Sequence, residues 1–158
     1  MDSSGHITKI QASSAAREVN VLVCESGTRW GDVARRFLGP RSFWGPDQDP
    51  DSGAHFIVRP TEHTKVRSAI GGVTDVVILW EVLPQNVSAI ALTVAQIGVG
   101  RSDVLQIAAV AADHAGQVNG LSLRLQELGV EATCPSPEAF FPIARLIRRR
   151  FAAPNPTV

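Results

Sequence analysis

The residues best placed to do chemistry are Trp80 and Glu81, because they stand where a strongly apolar run ends. The run is Thr74-Asp75-Val76-Val77-Ile78-Leu79-Trp80-Glu81-Val82-Leu83-Pro84, and Val76 to Leu79 shows no polar alternation. Such a run reads as a strand covered on both faces. The C-terminal edge of a strand of this kind is where open α/β sheets build their sites. There an indole offers a large apolar surface and one N–H donor, suited either to stacking on a ligand or to filling core. Glu25 ends another apolar run, as a carboxylate for a regulatory hydrogen bond or as a rim acid near a helix N-terminus. Cys134, with Asp113 and His114, supplies the groups of a thiol site, which also needs a positioned base. Four scattered histidines, His55 and His63 among them, lack ligand spacing, so no metal is expected. Gly98-Val99-Gly100 precedes a strand instead of joining strand to helix, so it fails the dinucleotide test and no cofactor is expected.

Five strands and five helices must position these groups. The first strand is read at 19–24, followed by a helix from Thr28 with Trp30, Val33, Ala34, Phe37 and Leu38 at helical spacing. Residues 41–53, with two prolines and three aspartates, read as a surface insertion whose own Phe43 and Trp44 are expected to pack on a neighbouring surface. A second strand spans 55–59, and Thr61 is the expected N-cap of a helix ending near Ile70. The third strand is the opening run. The helix after it places Val87, Ile90, Ala91, Val94 and Ile97 on one stripe and is expected to break at Gly98 and Gly100. A fourth strand, 104–110, is small and apolar. Asp113 is the expected cap of a helix with Val118, Leu121, Leu125 and Leu128 inward. A short fifth strand ends at Cys134, and the last helix carries Phe140, Ile143, Ala144 and Ile147, with Pro142 kinking or delaying it. Residues 1–18, including Ile7 and Ile10, read as a flexible arm, and 152–158 as a disordered tail. Alternating strands and helices imply one α/β domain over 19–151: a five-stranded parallel sheet in a doubly wound, three-layer sandwich.

Composition narrows the partners. Fifteen basic and fifteen acidic residues cancel, so the net field favours neither nucleic acid nor a membrane surface. No apolar run approaches the roughly 20 residues of a membrane span, and no signal-peptide pattern opens the chain, so a cytoplasmic protein with reduced Cys24 and Cys134 is expected.

The order and spacing of these elements resemble the receiver domain of two-component response regulators, which has the flavodoxin-like fold with strand order 2-1-3-4-5. VLVCES resembles its acidic first strand, DVVILWEVLP its phospho-acceptor strand, and CPSPEAFFPIARLIRRR its Lys-Pro segment, with a cis peptide, and last helix. Carried across, the acidic pair becomes Glu25 and Ser26, and the acceptor position four before Pro84 is Trp80, or Glu81 after a one-residue slip. The switch hydroxyl falls at Ala108 or Ala109, and the lysine at Cys134. Phosphoryl transfer needs a nucleophilic carboxylate, oxygen-ligated Mg²⁺ and a neutralising cation. The resemblance therefore implies a degenerate pseudo-receiver of two-component or phosphorelay type, without enzymatic activity, that acts by protein–protein interaction. In the family the usual partner and dimer face joins the last two helices and fifth strand, here with Leu123, Arg124, Arg145, Arg148 and Arg149. Alternatives are a small-molecule sensor using the crevice near Trp80 and a thiol-dependent enzyme using Cys134, or one using Glu25.

Overall fold

The computed structural model describes residues 17–39, 53–110 and 115–152, with side chains from residue 120 onward in the last segment. The expected arm up to residue 16, Phe43 and Trp44 of the insertion, the Asp113 cap, His114, the Val118 side chain and residues 153–158 lie outside the described residues.

The chain order is β1 (Arg17–Cys24), α1 (Arg29–Leu38), β2 (Ala54–Pro60), a 3-10 turn (His63–Lys65) running into α2 (Val66–Ala69), and β3 (Val76–Val82). It continues through α3 (Val87–Gly100), β4 (Val104–Val110), α4 (Ala115–Leu128), β5 (Ala132–Cys134), a second 3-10 turn (Pro137–Ala139) and α5 (Phe140–Phe151). All the strands pair in parallel in the order β2-β1-β3-β4-β5. This is the flavodoxin-like arrangement, and the order reverses between β1 and β3.

Side chains alternate across the sheet because successive strand residues point to opposite faces. Val19, Val21, Val23, Val77, Leu79, Leu105 and Ile107 meet Trp30 and Ala34 of α1 and Phe140, Ala144 and Ile147 of α5. Leu22, Ile78, Trp80, Ala108 and Val110 meet Val66 of α2, Ile90, Val94 and Ile97 of α3, and Leu125 of α4. Each such buried aliphatic stabilises the fold by about 1.5–3 kcal/mol.

Several boundaries differ from the expectations. β1 begins at Arg17, inside the expected arm, because Arg17 and Glu18 pair with Ala54 and His55 and Arg17 Nε donates to Asp75 at 2.7 Å. Thr61 is not an N-cap; its Oγ1 lies 3.5 Å from the Arg59 carbonyl, and Glu62 precedes the 3-10 turn. α3 runs on through Gly98 and ends at Gly100. At Gly98 glycine is required by contact: a Cβ there would lie 2.8 Å from the Leu128 carbonyl oxygen, where α3 meets the end of α4. β5 is short, at Ala132–Cys134, and no cis peptide is present among the described residues, so Cys134-Pro135 is trans. Pro142 falls in the first turn of α5, where its missing N–H has no intrahelical acceptor to lose.

Arg148 is a larger correction. It lies on the inward stripe of α5 and is buried, with Nη2 donating to the Phe37 carbonyl at 2.9 Å and its guanidinium over the Phe56 ring. Its long stem lets an apolar helix position end in a charge that reaches a backbone acceptor. Arg148 is therefore no part of an exposed partner surface, whereas Arg124, Arg145 and Arg149 are exposed.

Candidate functional site

An open crevice of about 310 Å³ lies over the C-terminal ends of β1, β2 and β3, beside the point where the strand order reverses. Cys24, Glu25 and Ser26 line it after β1, Thr61, Glu62 and His63 after β2, and Glu81, Leu83, Gln85 and Asn86 after β3. Pro60 closes β2 and Pro84 follows β3, so the chain turns out of the sheet at both places and leaves these polar residues on the rim.

Of the residues singled out from the sequence, the crevice brings together Glu25, Ser26 and Glu81. Trp80 is fully buried and faces the α2–α4 side; the crevice wall does not include it. The one-residue alternation of the strand makes the difference: Trp80 turns toward α3, and Glu81 toward the edge near Ser26. Trp80 is satisfied internally, its Nε1 donating to Gln106 Oε1 at 3.2 Å. Gln106 Nε2 in turn donates to the Val94 carbonyl of α3 at 3.1 Å, making a buried link from β3 through β4 to α3. Ala108 packs on the same side as Trp80, and Cys134 packs under α1 and α5, so neither reaches the crevice.

The edge carboxylates are held by the chain itself. Glu25 accepts N–H bonds at 2.8 Å from both Trp30 and Gly31, which places its charge against the first turn of α1, where two backbone donors lack intrahelical partners. Glu81 Oε1 accepts from Ser26 N–H at 3.2 Å and from Ser26 Oγ–H at 3.0 Å, joining the ends of β1 and β3. Asn86 closes the loop after β3: its Oδ1 accepts from Leu83 N–H at 2.7 Å and its Nδ2 donates to the Glu81 carbonyl at 3.0 Å. Among the described residues no cluster of three or more His, Cys, Asp or Glu side chains is arranged to hold a metal ion.

Both free thiols are buried. Burial pushes Cys24 up to about 12. Burial likewise pushes Cys134 up to about 11, against the opposing effect of its S–H bond to the Ser136 carbonyl at 3.1 Å. A protonated, buried Cys134 supplies no thiolate nucleophile; Asp113 and His114 lie outside the described residues.

The crevice residues assigned no site role from the sequence are Glu62, Gln85 and Asn86, with Thr61, read as a cap, and His63, read as a scattered histidine; their signal was position, directly after the prolines that end two strands. Gln106 was also missed. A single amide in an otherwise apolar strand is a request for a buried partner.

Among the described residues no helix is long and apolar enough to cross a membrane. No protein-family model matches the sequence, and the search of curated proteins gives no match. Solved structures do match. A CheY-like protein, TadZ, from Pseudomonas aeruginosa superposes with a TM-score of 0.58 at 12% identity, covering 89% of this chain and 98% of that one. The pilus assembly protein CpaE from Caulobacter crescentus gives 0.53 at 14% identity, covering 87% of this chain and 95% of that one. At such identities the likeness is one of fold: the chain has the receiver-like, CheY-like form of the five-stranded parallel α/β sandwich.

Proposed function

We propose that the chain is a receiver-like regulatory module that acts by binding a protein and accepts no phosphoryl group. The observation that carries this reading is the use of the crevice carboxylates within the chain, Glu25 on the first turn of α1, Glu81 on Ser26 and Glu62 paired with Lys65. A phosphoryl acceptor must instead present a free carboxylate beside Mg²⁺ and a cation. Here Ala108 and Cys134 face the two core layers, and among the described residues the crevice lining contains neither lysine nor arginine. With no chemistry at the crevice, output passes through a surface. The edge formed by α4, β5 and α5 offers Leu123, 59% exposed, with the exposed Arg124, Arg145 and Arg149, a mixture of apolar area and arginine common at protein interfaces. The same fold occurs in a protein described as a pilus assembly protein. Melting curves with millimolar Mg²⁺ and acetyl phosphate test the crevice: an unchanged Tm is expected. A rise of several degrees that Glu81→Gln abolishes would restore an ion-binding role.

The second reading is a small-molecule sensor. It is favoured by the 310 Å³ crevice with Thr61, His63 and Gln85 as hydrogen-bonding groups, and it no longer involves Trp80. A metabolite that raises Tm in the parent, and fails to do so in Gln85→Ala, would support it over the first.

A further inference from the structure

We draw no further inference here: the strongest candidate, the outer surface patch of α3 with exposed Leu92 and Val99, is interrupted by Ser88 and by Gln96, which accepts from Arg67, and nothing in the structure shows what covers it.

Discussion

Helices α1 and α5 cover one side of the sheet, and α2, α3 and α4 the other, and the two layers meet water in opposite ways. The inner faces are alike, each buried around a large aromatic, Phe140 on one side and Trp80 on the other. Outside, α1 presents Arg29, Asp32, Arg35 and Arg36, and α5 presents Arg145, Arg149 and Arg150. α3 presents Ser88, Leu92, Gln96 and Val99. Inside, the contrast reverses. The α1/α5 layer buries a charge, Arg148, against a backbone carbonyl and a ring. Among the described residues, the α2–α4 layer buries neutral polar groups, the Trp80–Gln106–Val94 link. The arginine layer is finished with charge, whereas α3 leaves Leu92 and Val99 exposed among neutral polar residues. The crevice lies at the strand ends, where Glu25 and Glu81 tie the edge together.

The largest effects should come from the paired aromatics. Trp80→Ala and Phe140→Ala should each cost about 3–5 kcal/mol, read by chemical denaturation, since both are fully buried. A much smaller loss on one side would break the symmetry of the inner packing. Next, Gln106→Leu leaves the Trp80 N–H buried without an acceptor and should cost about 1–3 kcal/mol. Adding Trp80→Phe to Gln106→Leu should recover part of that loss, because the orphaned donor is then gone.

The smallest effect lies at the other end of the sheet. Arg17 clamps Asp75 at the start of β3 and stacks over Phe151 at the end of α5, tying the arginine layer to the sheet. The hydrogen bond from Arg17 holds the Asp75 carboxyl below its usual value. A carboxylate depressed in the folded state contributes stability above its unfolded value, near 4, and loses it as pH falls through the lower folded value. The pair is partly exposed, so Asp75→Asn should cost no more than about 1 kcal/mol at neutral pH. The parent's excess stability over Asp75→Asn should shrink below about pH 4, as read from melts across pH.

Much of this was legible in the sequence because apolar runs closed by proline and glycine mark strands directly. β3 and β4 lie where the patterns placed them, and their order and spacing carried the receiver-like fold. What escaped depended on direction. Whether Trp80 or Glu81 faced the crevice is a matter of one residue in a two-residue period, and a run apolar on both faces carries no mark of its phase. Arg148 stands eight residues after Phe140, on the buried stripe, yet its charge argued for the surface; only the nearby Phe37 carbonyl reconciles the two. Thr61 was read by type as a cap, while the extended backbone at Glu62 delays the helical turn and leaves Thr61 on the crevice rim. The use of Glu25 across the first turn of α1 was visible only as a carboxylate near a helix start.

The most direct test of a receiver-like module that takes no phosphoryl group is the intact mass of the chain after incubation with Mg²⁺ and acetyl phosphate. The expected spectrum shows the unmodified mass alone. A phosphoryl adduct lost in Glu81→Gln or Glu25→Gln would contradict the account, because a carboxylate now read as tied to Ser26 or to α1 would be accepting phosphate.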